Sequence, residues 1–478
     1  MKIKKLFKKK SVLLLLSLSL FLAIVMIYQT YKPLPQGVSY GGKVYQVEDV
    51  DFLTDLTYKD KYGAQVYEQS IFKEINQTIK KAEQFIVVDM FLYNSYVDEN
   101  IDYPNISQSL TNTLINQKEK KPKLKIIVVS DSVNTTYGSH EAKQLEQLKK
   151  HGIDVVITKL NPLRDPNPIY SSVWRTFIQW FGQEGTGWVP NPMAETAPKV
   201  TMRSYLKLMN IKANHRKLIA TENAAIVSSA NPHDASGFHS NIAFKVKGGI
   251  IADIIEAEQA VSDFSEGPKM PKYDQKTKGS GPIQIQYLTE GKIYRHIIKA
   301  LDDAADGDRV WIGMFYLADR EVIDAIVDAA ERNVKVNLVL DPNQNAFGAE
   351  KIGLPNLPVA SELRNMEKKN IKIRWYNTDK EQYHSKILYV DHGDHAVILG
   401  GSANFTKRNL ANYNLENNLK IVAPSDEEIT REVDDYFNRI WNNEKGTYTV
   451  EYEKYQDKLP VFKYIMYVLQ KIFQFTTY

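Results

Sequence analysis

One chemical constellation occurs twice in this chain, and no other feature restricts its fold as much. The first copy reads His215-Arg-Lys217, a carboxylate at Glu222, then Ser229-Ala-Asn231 after a second apolar run. The second reads His384-Ser-Lys386, a carboxylate at Asp391, then Gly401-Ser402-Ala403-Asn404. His384 follows His215 by 169 positions. So composite a pattern, repeated once at that separation, points to a duplication that built two half-sites.

The residue types suit phosphodiester chemistry on their own merits. Lys217-Leu-Ile-Ala and Lys386-Ile-Leu-Tyr-Val read as short buried strands. Residues i and i+2 of a strand share a face, so each histidine and its lysine project into one space. Two ammonium groups can hold the negative oxygens of a phosphodiester, and the Ser and Asn of each copy add neutral donors. One neutral imidazole can attack phosphorus while a second, protonated, gives its proton to the leaving alkoxide. Glu222 and Asp391 are expected to orient the imidazoles, as acids do behind other catalytic histidines.

The doubled pattern resembles the phospholipase D superfamily, over about Val44 to Trp441. That resemblance implies an α/β, two-lobed phospholipase D fold, each lobe a β-sheet flanked by helices, with the active site at the lobe interface. It implies a covalent phosphohistidine intermediate, no metal and no cofactor. By the same resemblance His215 is the nucleophile and His384 the general acid, with Lys217, Glu222, Lys386 and Asp391 completing the catalytic set. Ser229, Asn231, Ser402 and Asn404 become phosphate ligands, and Glu416 a supporting acid. Copy one departs from the family pattern. Glu222 stands in place of Asp, Ser228 where copy two has Gly401, and Ala243 where the sequence alignment sets Glu416.

The amino terminus is a separate object. Six lysines among the first ten residues precede an apolar run from Val12 to Tyr28, broken only by Ser17 and Ser19. No small-x-small cleavage site follows, and there is no cysteine for lipidation. Residues 1–30 therefore read as a signal anchor, a single-pass membrane segment with its lysines cytoplasmic and the catalytic body outside. Of the 61 Lys and Arg, six lie in this leader, which leaves 55 to balance 57 Asp and Glu. A body without a basic surplus is a poor match for a polyanion, so nucleic acid is the less favoured partner.

Helices alternate with apolar strands in both halves. A helical stretch from Gln65 to Ala82 leads into Phe85-Ile-Val-Val-Asp-Met-Phe-Leu, and one from Ile293 to Ala305 leads into Val310-Trp-Ile-Gly-Met-Phe-Tyr-Leu. The expected division is lobe one over 44–264, a linker over 265–282, lobe two over 283–445 and an amphipathic tail over 446–478. Asp131 to His215 spans 84 residues where Asp341 to His384 spans 43, so lobe one carries an insertion at about 160–204. Within it Tyr170, Val173, Trp174, Phe177, Ile178 and Phe181 form one helical stripe opposite Ser171, Ser172, Arg175, Thr176 and Gln179. The stripe either packs on its own lobe or rests on a membrane surface.

The sequence reading is a membrane-anchored phospholipase D-type phosphodiesterase or phosphatidyltransferase, acting on phospholipid headgroup linkages with water or an alcohol as acceptor. Its partners are a phospholipid substrate and the membrane surface, with no obligate protein partner evident. The alternatives are a membrane-tethered nuclease of the same superfamily and a non-catalytic lipid-binding scaffold.

Overall fold

The computed structural model describes residues 2–97, 101–194, 196–274, 279–346, 349–351, 353–458, 464–465 and 467–469. Two mixed sheets repeat one plan. In the first, seven strands run in the order Asp51–Asp60, Asn241–Val246, Ala225–Ser228, Lys217–Thr221, Phe85–Met90, Lys125–Ser130 and Asp154–Ile157. In the second the order is Ile283–Thr289, Asn417–Pro424, His395–Gly401, Lys386–Asp391, Arg309–Met314, Lys335–Leu340 and Ile371–Tyr376. Each strand has its counterpart at the same place, including the parallel run of the last three. The duplication read from the motifs therefore extends through the whole architecture.

The strands are apolar on both faces because both faces are covered. Outer helices pack on one side of each sheet, with Ile75, Ile79, Leu110 and Leu145 in lobe one and Ile293, Ile297, Ile323 and Ile326 in lobe two. The inner faces pack on each other, joining Val227, Ile242 and Phe244 to Tyr389, Ile398 and Ile421 in one core. Gly400 permits the close approach, since a Cβ there would lie 2.7 Å from the Phe244 ring. A fused core of this kind fixes the lobes and whatever lies between their edges.

The chain ends are exchanged between the lobes. Gly41–Val47, whose residues from Val44 on were expected in lobe one, pairs antiparallel with Ile283–Thr289 at the edge of the second sheet. Gly446–Thr447 pairs with Asp60 and Lys59 of the first sheet. The expected helix from Gln65 begins later, at Ile71. Gln65–Glu68 is drawn into a hairpin with the preceding strand, and Asp55 accepts from the N–H groups of Ser70 and Ile71.

The N-terminal helix runs Lys2–Tyr31, and its segment Lys9–Tyr31 has the length and composition of a membrane span, with mean hydropathy 2.6. Of the expected amphipathic tail over 446–478, the stretch 446–451 is instead taken up by the short strands Gly446–Thr447 and Thr449–Glu451, and residues 459–463, 466 and 470–478 lie outside the described residues. In the insertion, a helix over Pro168–Val173 continues as a π-helical turn, Trp174–Ile178. The stripe predicted at 3.6 residues per turn holds at Val173, Phe177 and Phe181, and Trp174, at the start of the wider turn, leaves it. Trp174 goes into the protein with Ser171, Ser172 and Arg175, while Ile169, Val173, Phe177, Trp180 and Phe181 face outward.

Candidate active site

The paired strands carry the two motifs to one place. His215 precedes strand Lys217–Thr221, and its N–H donates to the carbonyl of Leu415 in the other lobe at 2.8 Å. His384 precedes Lys386–Asp391, and its N–H donates to Ser240 of the first lobe, also at 2.8 Å. Each histidine is thus pinned by the segment just before its sister lobe's equivalent strand. Asp131 and Asp341 close the arrangement from behind, accepting from the N–H groups of Asn214 at 2.6 Å and Tyr383 at 2.7 Å. Both histidines line a cavity of about 660 Å³ with Asn231 and Asn404.

Lys217 and Lys386 are buried, and each donates from Nζ to the carbonyl of its own histidine, at 2.8 and 2.6 Å. Phe91 and Phe315 are a further matched pair. Each ring lies about 5 Å from a histidine ring (4.8 and 5.0 Å) and 5.2 Å from the neighbouring lysine nitrogen. Both phenylalanines follow the same strand in their lobes, which is the signal that marks them once the lobes are superposed. They were not among the residues singled out from sequence.

The histidines differ in what holds them. Nδ1 of His215 donates to Glu416 Oε2 at 2.9 Å, whereas Nδ1 of His384 lies 3.1 Å from Asn241 Oδ1. Ser229 Oγ donates to that same Asn241 oxygen at 3.1 Å, and Asn241 Nδ2 donates to the carbonyl of His239 at 3.3 Å, which sets the amide's orientation. Glu416 and Asn241 are therefore equivalent positions. The alignment of Glu416 with Ala243 was two residues out of step. Each imidazole keeps Nε2 for the cavity, but only one is backed by a carboxylate.

Glu222 and Asp391 do not reach the imidazoles. Five residues of extended strand separate each from its lysine, roughly 16 Å at ~3.3 Å per residue. Glu222 instead accepts from the N–H groups of Glu83, Gln84 and Phe85, at 2.6, 3.2 and 3.3 Å. Asp391 pairs with Arg309 at 3.0 Å and accepts from Gly393 N–H. These acids clamp the far end of each lobe's central strand pair. The serines are likewise engaged elsewhere than a phosphate would be. Ser402 donates to Glu416 and Ser229 to Asn241, and each hydroxyl also accepts the N–H of the residue after its partner. Asn231 accepts from Leu92 N–H at 3.3 Å, which leaves its NH₂ for another acceptor.

Burial dominates the electrostatics. It lowers His215 to about 4, with Lys217 and Lys386 adding to the effect and Glu416 opposing it. His384 falls well below the ordinary histidine value through burial and both lysines, with His239, 6.0 Å away ring to ring, adding to them. Burial brings Lys217 down to about 7 and pushes Lys386 well below the usual lysine range. Such a site holds its positive charge weakly when empty. A negative charge brought close to the lysines would favour their charged forms again. Among the described residues, no cluster of three or more His, Asp or Glu is placed to hold a metal ion.

Comparison with known proteins bears on the fold. Residues 297–441 match the family model described as cardiolipin synthase, PLD-like domain. The crystal structure of phosphatidylserine synthase from Haemophilus influenzae Rd KW20 superposes with a TM-score of 0.58 at 13% identity, covering 91% of this chain and 94% of that one. Nuc, a phospholipase D family member from Salmonella typhimurium, aligns over 35% of this chain and 99% of its own, at 16% identity and TM-score 0.27. No curated protein sequence matches the chain. Residues 297–441, in the second lobe, thus match a PLD-like domain of the cardiolipin synthase type, and the duplicated whole shares its fold with the phosphatidylserine synthase structure.

Proposed function

We propose that the protein is a membrane-anchored enzyme that cleaves or exchanges phospholipid headgroup linkages through a phosphohistidine on His215. The observation that carries this is the convergence of two histidines, one from each lobe and each with its buried lysine beside it, on a single cavity with a carboxylate behind one histidine only. Nε2 of His215 attacks phosphorus, and the bond to the headgroup oxygen breaks as Nε2–H of His384 protonates it. His384 then takes the proton of water or an alcohol, whose oxygen attacks phosphorus and displaces His215. Attack leaves the His215 ring cationic, and Glu416 is placed to stabilise that charge. His384, held by an amide, is the weaker base of the two and so the stronger proton donor once charged.

Lys217 and Lys386 supply the positive charge on the phosphoryl oxygens, assisted by the amides of Asn231 and Asn404. The serines act one step back, by fixing Asn241 and Glu416. A lipid rather than a polynucleotide is supported by the apolar wall of the cavity, formed by Tyr205, Leu208, Met209 and Ile211, and by the N-terminal helix. That helix is read as a single-pass anchor with its lysine-rich end cytoplasmic.

The test is to offer the full chain, reconstituted in vesicles, a panel of phospholipids and single-stranded DNA, and to identify products by mass spectrometry. Headgroup release or exchange is expected, insensitive to chelator and absent in His215→Ala and His384→Ala. Cleavage of DNA with no lipid turnover would replace this reading by a nuclease, and turnover of neither by a binding scaffold.

A further inference from the structure

The insertion helix is amphipathic in the reverse of the usual sense. Its polar side packs on the protein, where Arg175 pairs with buried Asp165 at 2.9 Å. Asp165 also pairs, at 2.7 Å, with Lys212, three residues before His215. Its outward side presents Ile169, Val173, Phe177, Trp180 and Phe181, all between 38% and 74% exposed. Such an apolar face on a soluble domain needs a cover.

Two observations say what the cover is. The insertion grips the end of the N-terminal helix. Asp165 N–H donates to Gln29 O at 3.0 Å, Lys32 Nζ to Asn161 O at 2.8 Å, and Arg164 Nε to Lys32 O at 2.8 Å. Its outward face therefore continues the surface of a helix whose leucines are themselves exposed and whose length suits a bilayer. The residues at this junction are also those of a membrane interface. Tyr28, Tyr31 and Trp180 are all at least 60% exposed, and indole and phenol rings settle at headgroup level.

We propose that the outward face of the insertion helix is sunk into the headgroup–acyl boundary of the bilayer that the N-terminal helix crosses, the occupant being lipid. The proposal rests on the membrane placement given above but not on the chemistry. It has a consequence for the substrate's route. Tyr170 on this helix donates to the carbonyl of Leu206, within the short helix Met202–Leu208 that gives Tyr205 and Leu208 to the cavity wall. One helix thickness, about 8–10 Å between axes, therefore separates the bilayer from the apolar side of the catalytic cavity. A phospholipid can present its headgroup to His215 while its acyl chains stay in the membrane.

The chain has no cysteine, so single nitroxide labels can be placed cleanly in the full-length protein. Phe177→Cys and Phe181→Cys are labelled, with Tyr62→Cys as reference. Tyr62 is 82% exposed, in a turn at the opposite edge of the first sheet from the strand that leads into the insertion. In phosphatidylglycerol-containing vesicles, the labels at 177 and 181 should collide several-fold more with oxygen than with a water-soluble nickel chelate, and the label at 62 should do the reverse. Chelate access at 177 and 181 equal to that at 62 overturns the proposal. So does dipolar broadening that disappears on dilution with unlabelled protein, which would mean that a second copy covers the face. Neither readout depends on turnover, so failure here is separable from failure of the proposed chemistry. Phe177→Ser/Phe181→Ser should cut turnover of vesicle lipid at least tenfold and leave a soluble phosphodiester unaffected. Equal loss on both would assign the face to folding instead.

Discussion

Replacing Glu416 by Gln tests the division of labour between the histidines. Four donors converge on this buried carboxylate: His215 Nδ1 at 2.9 Å, the hydroxyl of Ser402, and the amides of Asn409 and Asn414. When His215 bonds to phosphorus its ring gains a positive charge. A carboxylate about 4 Å from the centre of that charge is worth ~4 kcal/mol at an effective dielectric constant of about 20. The Gln oxygen can keep the hydrogen bond, so the loss should be about 2–3 kcal/mol, roughly 30- to 150-fold in kcat/KM at ~1.4 kcal/mol per decade. The assay compares an alkyl phosphodiester with bis(4-nitrophenyl) phosphate, whose leaving group departs without protonation. Glu416→Gln should lose activity on both substrates, because attack is impaired in both. His384→Ala should recover part of its activity on the nitrophenyl ester. Wild-type activity in Glu416→Gln, or a defect that vanishes with the activated leaving group, would refute the assignment of His215 as nucleophile.

Further expectations follow from the same site. Lys217→Met should abolish turnover yet raise Tm by about 2–4 °C, because burying an ammonium costs the fold on the order of 2–4 kcal/mol and a chain of this length gives roughly 1 °C per kcal/mol; scanning calorimetry checks this, and a lower Tm would count against the lysine's being electrostatically strained. Glu222→Ala and Asp391→Ala should each lower Tm by about 1–2 °C through loss of the strand clamps while leaving kcat unchanged, and a hundredfold fall in kcat would return these acids to the catalytic set. Since the folded pKa of His215, about 4, lies below its unfolded value, its contribution to stability is complete above pH ~6.5 and is lost as pH falls towards 4. Melting wild type beside His215→Gln should therefore show the gap moving in the variant's favour by roughly 2–3 °C between pH 7 and 4.5, and a constant gap would show that the imidazole does not titrate as burial requires.

What could be read from sequence was whatever repeats within a short stretch of chain. The His-x-Lys pairs, the apolar strands and the length of the insertion are of that kind, and so is the two-lobed plan. The partners of the histidines are not, because each comes from the opposite lobe. Glu416 is about two hundred residues from His215, and Asn241 is hidden by an alignment in which an Ile-Ala run mimics Leu-Glu. Glu222 and Asp391 misled for a related reason. A motif written as a string invites the reading that its letters meet, whereas an extended strand carries the last of them away from the first. The insertion's stripe was legible at Val173, Phe177 and Phe181, whereas the burial of Trp174 goes with a π turn that no count at 3.6 residues per turn reveals.

The exchange of chain ends bears on how this molecule is made. Strand Gly41–Val47 leaves the ribosome first, directly behind the anchor helix, yet its partner Ile283–Thr289 follows some 240 residues later. Until then the whole of the first sheet must assemble with an unpaired edge held close by. Closure of so long a loop is slow, and an open strand in the interval is a template for mispairing. Under the membrane placement proposed above, tethering keeps that strand near the growing chain and apart from its neighbours, so the helix serves as a folding aid before it serves as an address. Once the late strand arrives, the helix is tied to the second sheet as well as the first. A force applied to the helix then bears on both lobes together, and a cut in the connector between the lobes would leave them joined.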